Sequence, residues 1–189
     1  MLVLIIGLIV FLGVHSLRVI APGWRDGRVA AMGEGPWKGV YSLISIAGFI
    51  LMVWGYALAR PDAPFFYEPP AWVKHAVALV MLIALIIFVA SQLPAGKMKP
   101  ALKHPMLVSV KLWAVAHLFA NGDLASILLF GSFLAWAVVD RISVGRRDAP
   151  LPVEGSVTWD IVAIVAGVAI YLLFVWNLHA WLFGVVPFG

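Results

Sequence analysis

His104-Pro-Met-Leu-Val-Ser-Val-Lys-Leu-Trp-Ala-Val-Ala-His-Leu-Phe-Ala-Asn-Gly-Asp123 is the stretch on which the reading of this chain turns. Most of it has the composition of a membrane helix. It nevertheless carries two histidines and a lysine and ends in Asn-Gly-Asp, groups that hydrocarbon penalises. Pro105 suits the first turn of a helix, where its missing N–H costs no hydrogen bond. Asn121-Gly122 has turn chemistry. The stretch therefore predicts a helix over 105–120 closed by a tight turn, and its surroundings decide whether that helix lies in lipid.

The surroundings are apolar. Of 189 residues, 63% are hydrophobic and 12% charged, against about 25% charged in a typical soluble domain. Long unbroken apolar runs fit helices rather than barrel strands, which would alternate. The expected class is an all-α integral-membrane bundle of about six transmembrane helices, one domain over residues 1–189, with the lipid bilayer as its main solvent. The six segments are roughly 2–18, 39–58, 72–93, 105–120, 124–140 and 159–182. Proline and glycine clusters between Pro22 and Pro36, Pro61 and Pro70, and Pro94 and Pro100 mark the first breaks. Residues 141–158, rich in charge and proline and including Asp148 and Pro150, lead to the last span. The opening Met1 to Leu17 lacks the positive n-region and small-x-small site of a signal peptide, so it reads as a retained span.

The basic residues report topology. The first loop holds Arg18, Arg25, Arg28 and Lys38, the third Lys97, Lys99 and Lys103, and the fifth Arg141, Arg146 and Arg147. The second holds only Arg60 and Lys74, and the fourth holds none. The positive-inside rule then makes the odd loops cytoplasmic and puts both termini on the outer side. No basic run with interleaved aromatics is present, which excludes nucleic acid as a partner. The absence of cysteine excludes disulfides, thiolate metal ligands and iron–sulfur clusters. No repeat and no inverted pair of broken helices suggests a transporter. Gly131 with Ala135, and Ala163 with Gly167, are spaced four apart and are expected to pack helices.

Carboxylates are confined to loops and span ends, so a paired-carboxylate site within the membrane is excluded. The histidines are the remaining chemistry. His15 lies near the end of the first span, with Arg18 one turn on and on the same face. That pair suits an imidazole on a haem iron with a cation for a propionate. It equally suits a histidine hydrogen-bonded within the bundle and an arginine reaching for the interface. His117 shares a face with Trp113 and Asn121, with Ala114 and Ala120 beside it, which leaves room for a flat ligand or for another helix. Ser16 beside His15 has no third member for a triad. His104 reads as the helix start, and His75 and His179 as anchors near the outer face.

Several phrases resemble the NnrU family of bacterial membrane proteins. They are Phe11-Leu-Gly-Val-His-Ser16, Tyr41-Ser-Leu-Ile-Ser-Ile-Ala-Gly-Phe49, Trp54-Gly-Tyr56, Lys103-His-Pro-Met-Leu107, Lys111-Leu-Trp-Ala-Val-Ala-His-Leu118 and the run from Asn121 to Trp136. They cover residues 1 to about 147, with 159–182 as an additional C-terminal helix. The resemblance implies a multi-pass protein of the bacterial inner membrane, its termini periplasmic. The family is similar to plant 15-cis-ζ-carotene isomerase, which uses haem b. That likeness implies haem b here, with His15 and His117 as axial ligands to the iron. His75 and His104 are the alternative ligands, and Arg18, Lys111, Trp113 and Asn121 would serve the propionates or the pocket. A cysteine that the plant enzyme carries three residues before its second ligand is Ala114 here, so no thiol switch is available.

Three functions follow. The first is a haem-binding accessory or regulatory redox protein linked to nitrogen-oxide respiration (denitrification), with nitric oxide as a ligand. The second is a haem-dependent cis–trans isomerase of a poly-cis carotene, whose substrate would be a hydrophobic polyene. The third is a membrane methyltransferase, because Lys103-His-Pro-Met-Leu resembles the Arg-His-Pro motif of such enzymes. Its acidic pair is missing from Asp140 to Arg147. Depth constrains all of the haem readings. If 105–121 crosses the whole bilayer, His117 lies about 6 Å from the outer end and His15 about 21 Å from it. The haem would then lie nearly parallel to the membrane plane. If Lys111 marks the inner interface, the two histidines are level, but Asn121-Gly-Asp then sits at depth and survives only if protein buries it. Otherwise topology pairs His15 with His104, and His75 with His117.

Overall fold

A computed structural model of the chain describes residues 1–147 and 151–188; Asp148 and Pro150 of the expected 141–158 loop lie outside the described residues. The regular structure is helical, in the order α1 (Leu2–Ile20), α2 (Pro22–Met32), α3 (Glu34–Ala59), a 3-10 turn (Arg60–Asp62), α4 (Val73–Gln92) and α5 (Met98–Leu102). There follow α6 (Pro105–Ala120), α7 (Leu124–Gly145), α8 (Val157–Leu173), a π-helical turn (Phe174–Leu178) and α9 (His179–Phe183). Five helical segments are long and apolar enough to cross a membrane: α1, α3 with its 3-10 turn, α4, α7, and α8 running on through α9. The sixth expected span, α6, has 16 residues. At 1.5 Å per residue it extends about 24 Å, short of a hydrocarbon core of about 30 Å.

Two helices fall where only loop was expected. Pro22 opens α2, and Gly33, at φ +84°, separates it from α3 in a conformation that favours glycine. Asp160 at the start of α8 makes α5: its carboxylate accepts hydrogen bonds from the backbone N–H of Lys97 (2.8 Å) and Met98 (3.2 Å). Lys99 in turn donates to the carbonyls of Ser91 (3.0 Å) and Leu93 (2.7 Å), closing the end of α4.

Glycine sets the tightest seams. α1 and α3 run antiparallel, with Leu4 opposite Gly55, Gly7 opposite Met52 and Phe11 opposite Gly48. A Cβ on Gly48 would stand 2.7 Å from the Phe11 nitrogen, and one on Gly55 would collide with the Leu4 backbone. Gly167 of α8 lies against the Ile86 backbone of α4, and Ala163 is fully buried, as the spacing of small residues predicts. Gly131 and Ala135 do not follow that expectation. A Cβ on Gly131 would meet nothing, and Ala135 is exposed, so this face is not a helix seam. Large apolar side chains such as Leu2, Ile9, Leu43 and Val165 stand exposed around the bundle, as lipid contact requires.

The turn after α6 is buried by protein. Asp123 is 1% exposed and caps α7, accepting from the Ser126 N–H (2.9 Å) and hydroxyl (2.6 Å). Arg60 approaches the same carboxylate at 3.9 Å, and the Tyr56 hydroxyl meets the Ser126 hydroxyl at 2.8 Å. The chain from Pro64 to Tyr67 lies over the turn. Phe66 N–H donates to the Gly122 carbonyl (2.8 Å), Leu124 N–H to the Pro64 carbonyl (3.0 Å), and the Tyr67 hydroxyl to the carbonyls of Leu118 and Asn121. The Asn121 and Gly122 carbonyls and the Asp123 carboxylate, which depth would penalise, are thereby given partners.

Candidate functional site

His15 and His117 end up at two levels of the bundle. His15 lies near the end of α1 that carries Arg18. Its Nδ1 stands 2.7 Å from the Phe11 carbonyl. A carbonyl only accepts, so Nδ1 carries the proton and Nε2 keeps a free lone pair. The ring stacks on Phe11 at 4.2 Å between centroids, with Tyr41 at 5.3 Å and Trp136 at 6.1 Å. The Trp136 indole N–H is buried with no acceptor. Ser16 donates to the Leu12 carbonyl at 2.6 Å, one turn back in α1.

A cleft of about 530 Å³ opens beside His15, walled by Tyr41 and by the cations Arg18, Arg25, Lys38 and Arg147. Three of these are paired: Arg25 with Asp26 (2.6 Å), Lys38 with Glu34 (2.8 Å) and Arg147 with Asp140 (3.2 Å). Arg18 has no ion pair among the described residues. The His15 imidazole and Arg18 thus line one cleft, which the carboxylates Glu34 and Asp140 share; an anionic side chain of a cofactor would meet Arg18 there.

His117 sits in the second half of α6. Its Nδ1 stands 2.9 Å from the Trp113 carbonyl, so here too Nε2 is the free nitrogen. The ring stacks on Phe130 of α7 at 4.6 Å and lies 5.5 Å from Trp113. On another side is His179 of α9, with ring centroids 6.5 Å apart and planes 18° from parallel. The expectation for His179 was a lone interfacial anchor; the π-helical turn before it brings its ring to His117 instead. Asn121 holds the main chain, donating from Nδ2 to the His117 carbonyl at 2.9 Å. Lys111 is half-buried, with no hydrogen bond or ion pair described for it.

The two histidines meet different turns of α7. His15 faces Trp136 and His117 faces Phe130, six residues or about 9 Å apart along the axis. Between them runs a ladder of rings: Phe11 to Phe133 at 5.7 Å, Phe133 to Trp113 at 5.2 Å, Trp113 to His117 at 5.5 Å. As placed, they do not bracket one flat group. Among the described residues no ring contact joins His15 to His104 or His75 to His117. His75 is exposed with its ring against Phe188 at 5.6 Å. His104 is the N-cap residue of α6, ahead of Pro105 as expected. Burial pushes the His104 imidazole below its ordinary pKa, and Arg141 adds to the effect.

Trp136, Tyr41 and His179 are the site residues that sequence reasoning did not single out. The first two stand inside motifs already quoted, at positions where an aromatic ring reads as ordinary membrane composition. Among the described residues no three His, Cys, Asp or Glu side chains gather to hold a bare metal ion.

The chain matches the model of the NnrU protein family over residues 3–187 and belongs to that family. The match runs past residue 147 and through the C-terminal helix, which is therefore part of the family's body. No curated protein and no solved structure matches the chain.

Proposed function

With membership of the NnrU family as the premise, we propose that the chain binds haem b in the inner membrane of a bacterium, as an accessory or regulatory redox protein of nitrogen-oxide respiration. In this reading His15 and His117 both ligate iron, but at two levels rather than on one atom. The observation that supports it is the cleft at His15, lined by the imidazole and by Arg18, which has no ion pair among the described residues. Arg18, with Arg25 and Arg147 beside it, would hold the propionates; Trp136 and Tyr41 would wall the ring. Haem supplies an iron that exchanges one electron and takes a small diatomic ligand at an open axial position. Nitric oxide is the small ligand that this reading expects at that iron.

The carotene isomerase reading ranks behind. Two clefts, the one at His15 and a neighbour of about 410 Å³, carry Arg18 and Arg147 among linings that also include apolar side chains such as Leu17, Val144 and Ile142. A hydrocarbon polyene entering either would desolvate those charges. The deciding measurement is an absorption spectrum of the full chain purified in detergent after expression with a haem precursor. A haem b spectrum that shifts on adding nitric oxide, without turnover of a poly-cis carotene, is expected. A wild-type protein that carries no haem overturns the reading.

A further inference from the structure

We propose that the cleft between the ends of α1 and α7 holds the headgroup of an anionic phospholipid. Arg18, Arg146 and Arg147 take its phosphate, and the apolar turn beneath them takes the start of its acyl chains. The site adjoins the cleft at His15 and needs no haem. Three observations carry the proposal.

The first is the charge of the wall. The cleft, of about 410 Å³, is lined by Arg18, Val19 and Pro22 on one side and by the end of α7 with Arg146 and Arg147 on the other. No carboxylate among the described residues lines it, whereas Glu34 and Asp140 line the cleft at His15. Arg18 and Arg146 have no ion pair among the described residues. Arg147 gives one guanidinium nitrogen to Asp140 at 3.2 Å; a guanidinium carries five N–H donors, so others are left for a second acceptor. Guanidiniums bind phosphate oxygens through paired, charge-assisted hydrogen bonds.

The second is the order of side chains along α7. Val139, Ile142, Ser143 and Arg146 all line the cleft. They follow at i, i+3, i+4 and i+7 and so share one face of the helix. Val139 and Ile142 are 52% and 51% exposed. Over about 10 Å the face runs from hydrocarbon through a hydroxyl to a cation. A phospholipid has the matching order of acyl chain, glycerol ester and phosphate.

The third is the level. α1 ends at Ile20 and α7 at Gly145, so the cleft lies where two apolar helices run out. Trp24, two residues beyond Pro22, is 52% exposed and carries the Arg28 guanidinium over its ring at 5.5 Å. Tryptophan so placed marks the headgroup level of a bilayer. A water-soluble anion would satisfy the arginines and leave Val139 and Ile142 uncovered; a lipid meets both. Basic pockets between membrane helices on the cytoplasmic side take headgroups of this class, and the positive-inside rule predicts that side for this end of the bundle.

Thermal unfolding of the full chain, purified in an uncharged detergent, reads binding as a rise in Tm. Dioleoyl phosphatidylglycerol is expected to raise the Tm of the wild type saturably. Equal concentrations of dioleoyl phosphatidylcholine or of inorganic phosphate are expected to leave it unchanged. Arg146→Gln should need about five times more phosphatidylglycerol for the half-maximal rise. Arg28→Gln removes the same charge outside the cleft and should keep the wild-type midpoint. Unfolding of each variant without lipid shows that it is folded. A wild type that phosphatidylglycerol does not stabilise overturns the proposal, and so do equal shifts of midpoint in the two variants, which would reduce the effect to general surface charge. An equal rise with phosphatidylcholine would remove the need for net negative charge, and an equal rise with inorganic phosphate would assign the arginines to a free anion; either result also overturns it.

Discussion

Asp123 shows how one carboxylate can make depth tolerable. It caps α7 through Ser126, stands near Arg60, and is almost wholly enclosed. Asp123→Ala removes the cap and takes the carboxylate away from Arg60, whose side chain is 32% exposed. The expected loss is about 1–2 kcal/mol, most of it from the cap. Thermal unfolding in detergent checks it, and Asp123→Asn should recover part of the loss because its side-chain oxygen can still cap. His104 gives a second residue-scale expectation, in pH. Its pKa is depressed in the folded chain, so the folded state resists a proton that the unfolded state binds. The stability it contributes is full above the ordinary value near 6.5 and is lost as pH falls from there through the depressed value. Acidification from pH 7.5 to 5 should therefore lower the Tm of the wild type more than that of His104→Gln. Equal losses would remove His104 from the pH dependence.

At the scale of the helices, the sequence reading and the structure part at identifiable places. The first three spans and the fifth were legible because apolar runs of sufficient length end at proline and glycine, and the start of α6 was legible from Pro105. α2 and α5 were not, because they form in charged loops and one is capped by Asp160, 63 residues beyond Lys97 and 62 beyond Met98. Small-residue spacing predicted the α4–α8 seam but also predicted Gly131 and Ala135, which meet no helix. Spacing alone does not say which face of a helix has a neighbour. His15, Arg18 and His117 were visible as candidates. His179 was not visible as a partner, because a π-helical turn changes the phase of the helix without a sequence signature. The glycine seams yield a paired expectation. Gly55→Ala drives a methyl group into the Leu4 backbone and should cost about 1–3 kcal/mol or more. Gly131→Ala meets open space and should be neutral or stabilising by up to about 1 kcal/mol. Unfolding curves of the two variants side by side check both, and equal effects would contradict the seam.

For the whole molecule, the positive-inside rule predicts Arg18, Lys99 and Arg147 on the cytoplasmic side and Tyr67 on the outer side. The chain has no cysteine, so single cysteines can be introduced without background. Lys99→Cys should react with an impermeant thiol reagent only from the cytoplasmic side of sealed vesicles, and Glu68→Cys only from the outer side. The reverse pattern would invert the orientation.

The ladder of rings from His15 through Phe11, Phe133 and Trp113 to His117 has a consequence for energy coupling. Its ends differ in depth by about 9 Å, roughly a third of a hydrocarbon core of about 30 Å. An electron exchanged between haem irons of the kind proposed at His15 and His117 would cross about a third of the transmembrane voltage, worth about 0.7 kcal/mol per 100 mV. The equilibrium between the two ends becomes a function of how strongly the cell has energised its membrane. In proteoliposomes, an imposed voltage should shift electron occupancy from one end to the other, in the direction set by its sign.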